Sequence, residues 1–161
     1  MIYFTTFILA LFCTQIIRAL PQGCNNPAYL DSSALDEVAP PSPLKVTWDG
    51  TYDNPSGSLN GVACSDGQYG LYAKYKTFNH LPTFPFIGGA YDIVWNSPNC
   101  GGCWRIFNRD NGHAINLIGI DTAGAGFNIA QAAFKALSGG VLINPLTNIT
   151  AQKLPGFFCG I

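Results

Sequence analysis

Charge is scarce in this 161-residue chain, in which eight Lys and Arg stand against nine Asp and Glu. The charged share of 11% is about half that of an ordinary soluble domain. A net charge of −1 leaves no basic footprint for nucleic acid and no electrostatic hold on an anionic membrane. Histidine is limited to His80 and His113, far apart in sequence, so the usual material for a metal centre is missing and no metal or cofactor is expected. Runs of Leu, Glu, Lys and Arg long enough for a helical bundle are absent. Beyond the first twenty residues no apolar stretch is long enough to span a bilayer. What the chain has instead is Gly (18), Pro (11) and aromatic side chains, with 11 Phe, 7 Tyr and 3 Trp. That mixture suits short strands joined by tight turns, and the length allows one domain rather than two.

Residues 1–19 read as an export signal, with an apolar core at Phe7–Cys13 and a more polar stretch ending near Ala19. Gln15 and Arg18 interrupt the run short of a membrane-spanning length. The mature chain is therefore expected outside the cell. Five cysteines then remain, Cys24, Cys64, Cys100, Cys103 and Cys159, and in an exported chain they read as disulfide partners with one left over. Residues 20–44 carry Pro21, Pro27, Pro40, Pro41 and Pro43 and the acids Asp31, Asp36 and Glu37, the composition of a flexible arm. Cys24 on that arm is the expected unpaired cysteine, open to forming a disulfide-linked dimer. The folded domain is expected over residues 45–161.

β-Formers begin at Leu44–Trp48. Trp104–Phe107 and Ala114–Ile120 bracket a turn in which Asn111-Gly112 would supply positive-φ positions, a β-hairpin signature. Leu117–Ile120 is apolar on both faces, as in a strand covered on both sides. A helix is expected where Ile129, Ala132, Ala133, Ala136 and Leu137 recur, with Asn128 as its cap and Gly139-Gly140 as its stop. A shorter turn or helix is expected over Gly70–Tyr75, and strands resume after Val141 up to the terminal Phe157–Ile161. The Cys100-Gly101-Gly102-Cys103 spacing invites a redox reading, but it leads into a strand, so no helix N-terminus would lower a thiol pKa. Structural disulfides fit better, and the four cysteines from Cys64 onward allow three pairings.

Five ordered motifs carry a resemblance. Gly61–Gly67 (GVACSDG), Leu81–Gly89 (LPTFPFIGG), Ser97–Trp104 (SPNCGGCW), Gly119–Asp121 leading to Gly126–Asn128, and the terminal Cys159-Gly160-Ile161 together resemble the cerato-platanins, small secreted fungal proteins. The resemblance covers residues 46–161. It implies a mainly β fold, a six-stranded double-psi β-barrel of the expansin type with one or two short helices, stabilised by Cys64–Cys100 and Cys103–Cys159 disulfides. The arm before residue 45 and Cys24 depart from the family pattern.

The same resemblance implies a secreted, non-catalytic, expansin-like protein that binds chitin or N-acetylglucosamine oligomers or cellulose-like wall polysaccharide. It implies residence outside the cell or at the fungal cell wall, and elicitation of plant defence through a plant surface receptor. Sugar recognition needs aromatic faces and a few polar groups, for which Trp48, Tyr52, Trp95, Asp49, Asn116, Asn128 and Asp121 are the candidates, whereas Trp104 beside Cys103 reads as core. Asp121 is the sharpest of them, a carboxylate ending an apolar strand and matching the family's acid; an Asx-turn is the structural explanation of the same residue. As an exposed site it is expected to tolerate Asn with less than about 1 kcal/mol lost. One alternative is a glycoside hydrolase of endoglucanase type, pairing Asp121 with Asp49 or Asp53, and another is a surface-active structural wall protein. Asn148-Ile149-Thr150 is a glycosylation sequon.

Overall fold

The structure, a computed structural model, describes residues 43–161. The stretch expected to be an export signal, nearly all of the expected proline-rich arm and Cys24 lie outside the described residues. Six strands follow in chain order: β1 (Lys45–Trp48), β2 (Ile87–Ala90), β3 (Cys103–Asn108), β4 (Ala114–Thr122), β5 (Gly126–Ile129) and β6 (Ile149–Leu154). They form one curled sheet in the order β1-β5-β2-β4-β3-β6. Two pairs are parallel, β1 with β5 and β2 with β4, and the others are antiparallel. Val46 and Leu146 exchange both backbone hydrogen bonds (2.9 and 3.0 Å), so the segment entering β6 meets β1 and joins the two ends of the sheet. The mainly β, six-stranded barrel fold expected from sequence is the one adopted.

The hairpin forms as read, with Cys103↔Ile118 through Phe107↔Ala114 in register. Its turn uses one positive φ, at Gly112 (76°), rather than two. Leu117–Ile120 is buried throughout, and Trp104 packs at the barrel centre against Phe127 (5.3 Å between ring centres) and Tyr91 (5.5 Å). Helix α1 is the single turn Tyr72–Tyr75, and α2 spans Gln131–Ser138, burying Ala133, Phe134 and Leu137. Gly139 ends α2 in the left-handed region (φ 75°).

Two local expectations are corrected. Asn128 does not cap α2, because it belongs to β5 and accepts a hydrogen bond from Thr47 Oγ1 (2.9 Å). The cap comes from Asp53, whose two carboxylate oxygens accept from the backbone N–H groups of Gln131 (2.7 Å) and Ala132 (2.9 Å). Secondly, Phe157–Cys159 belongs to a 3-10 turn, Gly156–Cys159, not a strand. Asp53→Ala should cost about 1–2 kcal/mol, since it removes a charged cap at the helix N-terminus. Thermal unfolding would read this loss, and the Asn128→Ala change should leave the helical content intact.

The disulfides are Cys64–Cys100 and Cys103–Cys159, with Cα separations of 5.4 and 5.7 Å. They tie the loop after residue 62 and the C-terminal turn to the two ends of the Cys-Gly-Gly-Cys segment. Lys153 of β6 adds an ion pair with the buried Asp92 carboxylate (2.9 Å) and a hydrogen bond to Asn99 Oδ1 (2.6 Å).

Candidate functional site

Strand β4 is buried from Leu117 to Ile120 and leaves the core at Asp121. The sheet register is shifted there, between Gly88 and Gly89 of β2, so that Gly89 faces Asp121 instead of Ile120. Asp121 Oδ1 accepts from the backbone N–H groups of Ala63 (2.9 Å) and Thr122 (2.8 Å), and Oδ2 accepts from the Tyr52 hydroxyl (3.0 Å). The carboxylate thus holds the loop preceding Cys64 against the end of β4, which is more than an Asx-turn would do.

Tyr52 stands on the 3-10 turn Gly50–Asp53, which follows β1 directly and is capped by Asp49 accepting from Thr51 N–H (2.8 Å). Asp49, Tyr52 and Asp121 line one open cleft of about 260 Å³ with Thr51, Asn54, Gly57, Ser58, Gly61, Val62 and Phe78. Burial first, then the Asp121 charge and its hydrogen bond, then the Asp49 charge, push the Tyr52 phenol well above its ordinary pKa of 10.0. The phenol is therefore a neutral donor at any physiological pH. A raised pKa also fixes the sign of its linkage: its contribution to stability is complete below about pH 10 and is lost as pH rises beyond that. Alkaline titration should show Tyr52 ionising only together with unfolding, with phenolate absorbance and loss of tertiary signal coinciding.

The remaining candidates separate. Trp48 is half-buried against the core, and its indole N–H is buried without a partner among the described residues. Trp95 is 63% exposed and is not among the residues lining the cleft, and its indole N–H donates to Asp66 Oδ1 (2.8 Å). That hydrogen bond, then one from Ser65, lowers the Asp66 pKa below its ordinary value. Asp66 is a residue that sequence reasoning missed; it lies inside the quoted GVACSDG motif, but nothing local links it to an indole 29 positions on. Asn116 lines a separate hollow with Phe86, His113 and Ala114. Asn128 shares a cross-strand row with Asp121, separated by Gly89, where an added Cβ would come within 2.5 Å of the Thr122 carbonyl oxygen. Asp53 is committed to capping α2. Among the described residues no cluster of His, Cys, Asp and Glu could hold a metal ion, and no helix is long and apolar enough to cross a membrane.

Fold and site together define a small disulfide-stapled β-barrel with an acidic, tyrosine-bearing cleft at the end of β4. The cerato-platanin family model matches residues 44–154, and the chain belongs to the cerato-platanin family of small fungal proteins. It is 42% identical to Allergen Asp f 15 of Aspergillus fumigatus over 119 residues, 70% of this chain and 77% of that one. It is 36% identical to cerato-platanin of Ceratocystis fimbriata f. sp. platani over 118 residues, 73% and 87% of the two chains. Among solved structures, cerato-platanin 2 from M. perniciosa is 44% identical with a TM-score of 0.69, covering 73% of this chain and 98% of that chain. The solution structure of the fungal elicitor Cerato-Platanin is 35% identical with a TM-score of 0.67, covering 72% and 96%.

Proposed function

We propose that this is a secreted, non-catalytic, expansin-like glycan-binding protein whose cleft takes chitin oligomers or a cellulose-like chain, at or outside the fungal wall. The observation that carries the reading is the Asp121 carboxylate, fixed by Tyr52 and Ala63 at the wall of an open cleft that also holds Asp49, Asn54 and Ser58. Such oxygens and amides, held in place beforehand, suit sugar hydroxyls. An elicitor role in plant defence draws on the structural neighbour described as a fungal elicitor. The test is an NMR titration of the labelled chain with chitohexaose and cellohexaose. Amide signals of residues 49–62 and 121–122 should move, and a titration in which they stay fixed with both sugars would overturn the reading.

The glycosidase reading keeps one specific support, since Asp49 and Asp121 share the cleft. Asp53 drops out as a partner because the α2 cap occupies both its oxygens. Reducing ends released from chitin or cellulose by wild type, and lost in both Asp49→Asn and Asp121→Asn, would establish hydrolysis in place of simple binding.

A further inference from the structure

A second surface, outside the cleft, has its own chemistry. Along β3 the buried Trp104 and Ile106 alternate with the exposed Arg105 and Phe107, so the latter two stand on the outer face of the sheet. The register sets Gln152 of β6 and Asn116 of β4 on either side of Arg105, and Thr150 and Ala114 on either side of Phe107. The first row therefore presents carboxamide, guanidinium and carboxamide across three adjacent strands, about 10 Å or roughly two linked sugar rings. The second row presents an aromatic ring, 37% exposed, between two small side chains. Hollows of about 280 Å³ (Arg105, Phe107, Thr150, Gln152) and 430 Å³ (Ala114, Asn116, Phe86, His113) lie along the two sides.

Neither Arg105 nor Gln152 has a side-chain hydrogen bond or ion pair among the described residues. No acid lies on β3, on β6, or on β4 before Asp121. Asp110 of the hairpin turn is engaged by Asn148 Nδ2 (2.6 Å). An arginine fork without a counter-charge matches a carboxylate bidentately, flanking carboxamides match hydroxyls, and an exposed ring matches the apolar face of a pyranose. We propose that the outer face of β6, β3 and β4 binds a polysaccharide of uronic acids, with Arg105 clasping the sugar carboxylate. This goes beyond the cleft reading and does not depend on it.

The probe is hexagalacturonate, titrated into the labelled chain beside cellohexaose and chitohexaose. Hexagalacturonate should move the amides of Trp104–Phe107, Ala114–Asn116 and Thr150–Gln152, and added salt should weaken it. Arg105→Gln should lose about tenfold or more in affinity, the worth of one charge-assisted contact, with its unfolding midpoint and its chitohexaose response unchanged. Gln152→Ala, another exposed change, should lose less and guards against a folding failure in the arginine variant. Fixed amides on this face, unaltered affinity in a folded Arg105→Gln, or equal binding of cellohexaose to the same amides would each overturn the proposal. Failure of the cleft reading would appear separately, as chitohexaose leaving the Asp121 region unmoved.

Discussion

A chain in which Cys103 and Cys159 are both alanine is expected to lose about 4 kcal/mol of stability, the loop-entropy value for a crosslink of this span. The bridge joins residues 56 apart in sequence. Its sulfurs are also buried, where they fasten the Gly156–Cys159 turn to the start of β3. For a domain with a net stability of about 5–15 kcal/mol the loss is a large fraction, and the unfolding midpoint should fall by roughly 15 °C. The Cys64–Cys100 bridge spans 36 positions, and because closure entropy varies only with the logarithm of loop length, its removal should cost within about 0.5 kcal/mol of the first. Calorimetry on the two double mutants checks both numbers. A much larger loss for one bridge would mean that its sulfurs contribute packing as well as a crosslink.

The second large effect belongs to Asp121. Asp121→Ala should cost about 2–4 kcal/mol, because it strips the acceptor from the buried Tyr52 hydroxyl and from two backbone N–H groups at once. Asp121→Asn keeps one oxygen for the Ala63 and Thr122 donors but turns an NH₂ toward the Tyr52 hydroxyl, so a loss of about 1–2 kcal/mol is expected. That is larger than the exposed-site expectation from sequence, and the reason is physical: the carboxylate is half-buried and already accepts three hydrogen bonds from the protein, which leaves one acceptor position for a sugar hydroxyl. Denaturant unfolding of both variants gives the stabilities. Chitohexaose titration of Asp121→Asn at a temperature where it is fully folded isolates the charge, and binding should fall about tenfold. Tyr52→Phe separates the two roles further, since it deletes the phenol donor while leaving the carboxylate charge in the cleft.

How much of this was legible in the sequence follows the range of the interactions. The β3–β4 hairpin is readable because its register is set locally, and the left-handed stop at Gly139 is readable because only its own backbone demands it. The start of α2 is not, since its cap sits 78 positions away on the turn after β1 and a nearer Asn offers the usual signal. The parallel pairing of β1 with β5 leaves no local trace either. The site divides in the same way. Asp121 stands out as a charge ending an apolar run, and the needs of sugar recognition add Asp49 and Tyr52. Periodicity cannot say that Asn116 opens onto another hollow, that Trp95 turns to Asp66, or that Asp53 is spent on a helix.

The placement of β1 has a bearing on how the chain is made. Its backbone partners are Ala125–Ile129 and Leu146, all in the last quarter of the sequence. At a synthesis rate of about 5–20 residues per second, Lys45–Trp48 waits roughly 4–16 s after its own translation before the β5 residues even exist. The nascent chain therefore carries an unpaired strand, with Val46 and Trp48 on it, through nearly half of its elongation. A ribosome stalled shortly before residue 126, with β1 already clear of the exit tunnel, should present Val46 and Trp48 to whatever chaperone stands at the exit.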